Sequence, residues 1–352
     1  MHISRHVFGH PCPGGDHYLS DTYSRWIMTY QDHRRRAMGK KQVRHTKTWL
    51  MLLLLTLTFI FSGCAASNRA NVYKPKESFF MNADGDAQQM DPALDQNLTE
   101  MTVEELERLG DRYFQSKDYF NAFVNYRKAM ERKPDNPQIA YKLGLIFLDT
   151  AKYEDAVKAF QIVLDKQPNF AAAHEGMGTA FFKMGQYELA IPFFRKSLEL
   201  NPGSWRTRNL LGNSYDFQGK YDMASREYAD AILLNPHDGQ LYNNLGVSLS
   251  LAGRYEESLS TFKRALNANG SKDIIYNNLG LVLARMGRYD AALNAFKQGA
   301  DTARAYNNLG CVFMAQGEYQ KAAQSFNQAI AASPKFYEKA YNNLKKVEMR
   351  KF

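Results

Sequence analysis

The chain has 352 residues, 45% of them hydrophobic, and a formal net charge of +9, so it is long enough to bury a large core. The charge lies at the N-terminus: residues 1–63 hold nine Lys/Arg against three Asp/Glu, whereas the rest of the chain holds 36 against 33. A net charge of +3 on that larger part is an ordinary solvated surface, so composition argues against a nucleic-acid partner.

The first 37 residues begin with a stretch rich in His, Pro and Gly, and three arginines come shortly before Met38. We expect residues 1–37 to be an over-extended start, with Met38 as the initiating residue. The histidines of this segment could be interpreted as a metal-binding tract, but we favour an artefactual or discarded segment. The four histidines that suggest such a tract are His2, His6, His10 and His17.

Residues 38–63 have the order of parts of a secretory signal peptide. A basic stretch at 40–47 precedes an apolar run from Thr48 to Phe61. That run has 14 residues. As a helix it measures about 21 Å, short of the roughly 30 Å hydrocarbon core, so a permanent transmembrane span is not favoured.

The end of this signal resembles the bacterial lipobox, in which small residues precede a cysteine that is acylated and then cleaved on its amino side. Ser62 and Gly63 precede Cys64, while Phe61 departs from the usual leucine. The resemblance implies that Cys64 is the lipidation site. An uncleaved anchor or a buried structural cysteine is the alternative.

The lipid anchor also implies a location in the cell envelope. Several acyl chains hold a protein on its membrane without a spanning helix. Ala65 follows Cys64, where an aspartate would imply retention in the inner membrane. The resemblance therefore implies an outer-membrane lipid anchor facing the periplasm. Residues 64–100, rich in Asn, Asp, Gln, Ala and Pro, are predicted to be a flexible tether.

From residue 103 to 336 the chain repeats with a period near 34 residues. A repeat of this length predicts paired helices that stack on one another, because one pair cannot bury its apolar face alone. The period is marked by glycines spaced 34 residues apart, and by a last one 30 residues further on: Gly110, Gly144, Gly178, Gly212, Gly246, Gly280 and Gly310.

Counted from the first residue of each repeat, small residues recur at offsets 8 and 20, a tyrosine at offset 17 and an aromatic at offset 24. This pattern resembles the tetratricopeptide-repeat family. The resemblance implies an all-α fold, a right-handed α-solenoid of about seven repeats followed by a capping helix at 337–350, within a domain at 101–352. The predicted repeats are 103–136, 137–170, 171–204, 205–238, 239–272, 273–302 and 303–336.

Asparagines recur at offsets 5 and 6 of the first helices. In this family, first helices line the concave face, and first-helix asparagines hold the backbone of an extended ligand. An amide can do this because it carries both donors and an acceptor. The alternative is that these amides bond to a neighbouring helix. The candidates are Asn209, Asn243, Asn244, Asn277, Asn278, Asn307 and Asn308.

Other first-helix positions suggest a groove that is apolar toward the C-terminus. Val247, Leu281 and Met314 are its apolar candidates, whereas the N-terminal half offers charged residues such as Glu175. An apolar groove edged by amides suits an amphipathic or extended segment of a protein partner. Alternatively, the apolar residues pack against each other.

Catalytic and metal sites are not favoured by the sequence. His174 and His237 are the only histidines after residue 63, which are too few for a metal site. The glycines at 176 and 178 lie in a helical pattern without the strand that a dinucleotide loop needs. We therefore expect a protein that is not an enzyme, without cofactor or metal, whose partners are proteins or peptides.

Two local features resemble the lipoproteins of tight-adherence and type IV pilus assembly. The shortened sixth repeat runs into Ala-Tyr-Asn-Asn-Leu-Gly at 305–310, and the domain closes on Ser-Pro-Lys-Phe-Tyr-Glu-Lys-Ala at 333–340. This resemblance implies an accessory of a secretin or of pilus subunits. Two alternatives stay open: an outer-membrane adaptor for peptidoglycan hydrolases or a protease, and a component of polysaccharide or protein export.

Overall fold

The computed structural model describes residues 100–333, 335 and 337–349. These residues divide into two compact units at the link between Asn235 and Pro236. The N-terminal unit contains four helical hairpins, each made of a first and a second helix. Its helices are α1 (Val103–Gln115), α2 (Tyr119–Arg132), α3 (Pro137–Asp149), α4 (Tyr153–Lys166), α5 (Ala171–Lys183), α6 (Tyr187–Leu200), α7 (Trp205–Phe217) and α8 (Tyr221–Leu234).

The C-terminal unit contains three hairpins and one further helix. In each hairpin the second helix begins with a tyrosine, as it does throughout the N-terminal unit. The helices are α9 (Gly239–Leu251), α10 (Tyr255–Asn267), α11 (Lys272–Arg285), α12 (Tyr289–Gly299), α13 (Thr302–Gln316), α14 (Tyr319–Ala331) and α15 (Glu338–Glu348).

Each hairpin closes on a contact between a glycine of the first helix and an aromatic ring of the second. In the second hairpin, Gly144 faces Phe160, which is fully buried. A Cβ added at Gly144 would lie 2.6 Å from a ring atom of Phe160. The same contact joins Gly110 to Tyr126 and Gly310 to Phe326. A side chain at the glycine position would therefore force the two helices apart.

The turn within each hairpin requires one residue with positive φ. Glycine takes this position in the last five hairpins, as at Gly253 with a φ of 82°. The first two hairpins instead use Lys117 (φ 62°) and Ala151 (φ 58°). A side chain is disfavoured in this left-handed region, so these two turns carry backbone strain that the other five avoid.

One departure from the repeat pattern has a steric reason. Where other repeats place a proline after the second helix, the C-terminal unit has Gly270, and its backbone meets that of Gly239. The amide of Gly239 also donates to the carbonyl of Asn269 at 2.8 Å. A Cβ at Gly239 would lie 2.9 Å from the Cα of Gly270, and one at Gly270 would lie 3.2 Å from the Cα of Gly239, so side chains here would push the two segments apart.

The predicted fold class is confirmed. The described residues form fifteen helices and no named strand, and these helices alternate as the repeat pattern predicts. None of the helices within the described ranges has the length and apolar character needed to cross a membrane. The predictions for the start, the signal peptide, the lipidation site Cys64 and most of the tether lie outside the described residues.

Candidate functional site

A cavity of about 390 Å³ opens on the first helices of three successive hairpins in the N-terminal unit. Its polar wall is formed by Tyr141 on α3, Glu175 on α5 and Asn209 on α7, all of them half-buried. Trp205 and the exposed Arg206, at the start of α7, also line it. The apolar part of its lining includes Leu145, Leu148 and Leu210.

The three polar residues share one position in the repeat. Tyr141, Glu175 and Asn209 all stand at offset 5, the position for which the sequence predicts a ladder of ligand-binding side chains. One predicted site residue, Asn209, therefore lines the cavity, and two further offset-5 residues line it with different chemistry. In this unit the wall is a phenol, a carboxylate and an amide instead of an amide series.

In the C-terminal unit the offset-5 side chains are instead bonded to the following repeat. Asn243 accepts a hydrogen bond from Asn278 Nδ2 at 2.9 Å, and Asn277 accepts one from Asn308 Nδ2 at 2.8 Å. Asn307 accepts in the same way from Asn343 of α15, at 3.1 Å. We call such a bond, from an offset-6 side chain or its α15 counterpart to the preceding offset-5 side chain, an inter-repeat pair.

These inter-repeat pairs lie in the interior. Asn243, Asn278 and Asn343 are no more than 4% exposed, and Asn307 is 7% exposed. Their amides bond to a neighbouring helix, which is the alternative that the sequence left open. The pairs would have to break before these side chains could bind a ligand, so the ligand-binding role of this ladder stays a prediction.

The other C-terminal candidates also lie within the core. Asn244, Leu281 and Met314 are buried, and Val247 is half-buried. Val247 and Leu281 line a cavity of only about 20 Å³. That volume has room for about one water molecule and not for a peptide side chain. The predicted apolar groove is therefore filled by its own side chains here.

The inter-repeat pair also explains why the N-terminal cavity is open. At the start of this unit the pair is present, because Lys142 Nζ at offset 6 lies 2.7 Å from Glu107 Oε1 at offset 5. The next offset-6 residue is Gly176, which has no side chain to reach back toward Tyr141. The one after it is Leu210, which has no donor for Glu175. Two successive pairs are thus missing, and the cavity lies where they would be.

Packing against Phe160 leaves no room for a side chain at Gly176. A Cβ at this position would lie 2.7 Å from Cε1 of Phe160, which already fills the contact with Gly144. Phe160 is 0% exposed, so its ring is enclosed by the core. The core of the second hairpin therefore enforces the gap beside Tyr141.

Glu175 is positioned by the first turn of α7. Its Oε2 accepts hydrogen bonds from Thr207 Oγ1 and from Ser204 Oγ, the latter at 3.4 Å. Ser204 is the N-cap of α7, so the carboxylate lies at the positive end of a helix dipole. The ring of Tyr141 packs edge-on against Phe170, with 5.1 Å between centroids. Burial, and then the charge of Glu175, raises the pKa of Tyr141.

The sequence alone missed most of this site. The recurring asparagines point to one residue type along the repeat, so they do not indicate Tyr141, Trp205, Leu145 or Leu148. Two signals could have found them: offset 5 changes from asparagine to Tyr and Glu, and offset 6 changes to Gly and Leu in the neighbouring repeats.

Comparison with known proteins identifies the repeat. Models described as tetratricopeptide repeats match residues 110–151, 141–204, 206–238, 238–301 and 277–335. A tetratricopeptide repeat protein from Parabacteroides merdae ATCC 43184 is 20% identical, with a TM-score of 0.54 over 70% of this chain and 98% of that one. A comparison with curated proteins finds no match.

Two further solved structures are similar to this chain over part of its length. MamA protein is 25% identical, with a TM-score of 0.45 over 47% of this chain and 90% of that one. The Cut9–Hcn1 hetero-tetramer of APC/C contains a chain that is 21% identical, with a TM-score of 0.48 over 70% of this chain and 48% of that one. The family models together cover more than half of the sequence. The chain belongs to the tetratricopeptide-repeat family.

Proposed function

We propose that this chain is a non-catalytic scaffold that binds an extended segment of a partner protein in the N-terminal unit. The observation that carries the proposal is the cavity of about 390 Å³, which spans three first helices and is lined by three offset-5 side chains. Tetratricopeptide-repeat proteins are in general protein-interaction scaffolds. A cavity of this size with an apolar floor and a few convergent polar groups fits a peptide side chain.

The setting that we propose is the outer membrane, with the scaffold tethered by a lipid on Cys64 and facing the periplasm. The support is in the sequence: a basic stretch, a 14-residue apolar run and Ser-Gly-Cys-Ala at 62–65. The partner that we propose is a secretin or a pilus subunit, and the role is assistance in assembling that complex. This rests on the resemblance of residues 305–310 and 333–340 to pilus-assembly lipoproteins. A hydrolase adaptor or an export component would use the same surface with a different partner.

Site-specific photo-crosslinking in intact envelopes tests the surface and the partner together. A benzoylphenylalanine replaces Arg206, which is exposed and lines the cavity; the matched control replaces Leu233, which is 81% exposed on α8 in the same unit but does not line it. We expect a secretin or pilin adduct from position 206 and none from position 233. Hydrolase adducts would favour the adaptor function, and equal adducts from both positions would remove the cavity from the proposal.

The lipid anchor has a separate test. We expect Cys64→Ser to abolish incorporation of a labelled fatty acid and to release the protein from the membrane fraction. The reason is that only Cys64 stands in the lipobox-like context. Density-gradient separation of the wild-type envelope then tests the location, and recovery in the inner membrane alone would contradict the outer-membrane proposal.

A further inference from the structure

We infer that the cavity of the N-terminal unit takes a basic side chain, lysine or arginine, from the bound segment. This inference deepens the proposed function and rests on it, because it specifies the chemistry of the ligand at the same site. It is carried by the state of Glu175, by the walls beside this carboxylate and by the missing inter-repeat pairs.

Glu175 is a half-buried carboxylate without a cation. Its recorded hydrogen bonds come from the hydroxyl groups of Ser204 and Thr207, and both go to Oε2. Among the described residues no Lys, Arg or His forms an ion pair with it. The nearest comparable carboxylate, Glu107 at offset 5 of the first repeat, is paired with Lys142 at 2.7 Å. A cationic ligand group at Oε1 would supply what Lys142 supplies to Glu107.

The rest of the cavity suits the stem of a basic side chain. Leu145, Leu148 and Leu210 offer apolar surface, on which the methylene groups of lysine or arginine can lie while the charged head reaches a carboxylate. Tyr141 and Trp205 add two aromatic side chains to the same wall. Aromatic faces attract cations. The methylene stem of such a side chain would therefore meet leucines, and its charged head would meet aromatic rings and a carboxylate.

Arg206 shows that one of these rings already attracts a cation. Its guanidinium lies 4.6 Å from the centroid of the Trp205 ring, and it forms no ion pair among the described residues. Arg206 is exposed at the start of α7 and lines the cavity. It therefore competes with an incoming basic side chain for Trp205 and repels its charge. Removing Arg206 is expected to strengthen binding of a basic ligand, which a merely structural role for this residue would not predict.

The test compares three peptides on the full-length protein in detergent by fluorescence anisotropy. All have the sequence Ala-Leu-Ala-Xaa-Ala-Leu-Ala with blocked ends, and Xaa is arginine, norleucine or glutamate. We expect the arginine peptide to bind about tenfold more tightly than the norleucine peptide, and the glutamate peptide to bind most weakly. Norleucine matches the apolar stem without the charge, so the ratio isolates the contribution of the cation.

Two variants locate the effect. Glu175→Gln keeps an oxygen to accept from Ser204 and Thr207 but removes the charge, so the preference for arginine should disappear while norleucine binding is unchanged. Arg206→Ala should raise the affinity for the arginine peptide. Circular dichroism checks that both variants keep their helical content.

The outcomes separate the inference from the proposed function. Equal binding of all three peptides by the wild-type protein overturns the basic-side-chain inference and leaves peptide binding intact. A uniform loss of binding in Glu175→Gln also overturns it, because Glu175 then only braces α7. If none of the peptides binds and the crosslink at position 206 is also absent, the proposed function itself fails. The wild-type comparison decides the inference even where a variant does not fold.

Discussion

The two units contain the same kind of hairpin but differ at the offset-5 positions of their first helices. In the C-terminal unit, three inter-repeat pairs, such as that between Asn278 and Asn243, fill the space at offset 5. In the N-terminal unit that space holds a cavity of about 390 Å³. The offset-5 residue does not decide the difference alone, because glutamate stands at offset 5 both in the cavity wall, as Glu175, and in an inter-repeat pair, as Glu107.

The residue at offset 6 of the following repeat decides it. Asn278, Asn308 and Lys142 at this position each bond to the preceding offset-5 side chain. Where it is Gly176 or Leu210, the offset-5 side chain stays available to a ligand. A repeat array can therefore carry an open cavity in one part and a closed row of hydrogen-bonded side chains in another through changes at one position, while the hairpin cores stay alike.

The largest effect is expected when the offset-6 asparagine of the C-terminal unit is placed at an offset-6 position of the N-terminal unit. In Gly176→Asn, the new Cβ would lie 2.7 Å from Cε1 of Phe160, a fully buried ring already in contact with Gly144. Overpacking of this kind costs about 3 kcal/mol at its upper end. We expect α4 and α5 to lose that much local stability, measured by hydrogen exchange of their backbone amides.

Gly203→Asn is the matched control for this variant. Gly203 lies in an exposed turn of the same unit, and a Cβ there would meet only the side-chain oxygen of Asn201 at 3.7 Å. Its exchange should stay within about 0.5 kcal/mol of the wild type. An equally small change for Gly176→Asn would show that the core of the second hairpin does not enforce the gap.

The next effect concerns the closed row of hydrogen-bonded side chains. Asn278→Ala leaves the oxygen of Asn243 buried without its donor, which costs about 2 kcal/mol. We expect faster exchange in α9 and α11. In a double-mutant cycle with Asn243→Ala, the double variant should lose less than the two singles together, by about 1 kcal/mol. Strict additivity would mean that the two amides contribute independently.

Most of the fold could be predicted from the sequence, and the reason lies in the contact between Gly144 and Phe160 and its counterparts. A glycine that must face an aromatic ring recurs at fixed offsets, so the period reports the packing directly. The site was less predictable because it depends on pairs of different residues, 35 positions apart, such as Lys142 and Glu107. Glu175 carries the same side chain as Glu107, and only the residue 35 positions later, Leu210 instead of Lys142, leaves it without an inter-repeat pair.

A smaller effect is expected when a missing pair is restored. In Leu210→Asn, a donor stands at offset 6 opposite Glu175, as Asn278 stands opposite Asn243. The amide should donate a hydrogen bond to the carboxylate and fill part of the cavity. We expect the arginine peptide to bind about tenfold more weakly, a loss of about 1.4 kcal/mol, by fluorescence anisotropy. Leu210→Met keeps an apolar side chain of similar volume without a donor, so unchanged binding in this control and loss in Leu210→Asn would assign the effect to the restored pair.

The smallest effect concerns the turns, in which the first two hairpins differ from the other five. Ala151 holds a positive φ of 58°, whereas the equivalent turn in the C-terminal unit has Gly253 at 82°. Ala151→Gly relieves strain but gives the unfolded chain more freedom, so we expect a gain of only about 0.5 kcal/mol. Gly253→Ala imposes the strain, and since a Cβ there would meet no atom within 4 Å, its expected loss of about 1 kcal/mol reports backbone conformation alone. Hydrogen exchange of the flanking helices measures both changes, and the same sign in both variants would mean that these turns do not govern the stability of their hairpins.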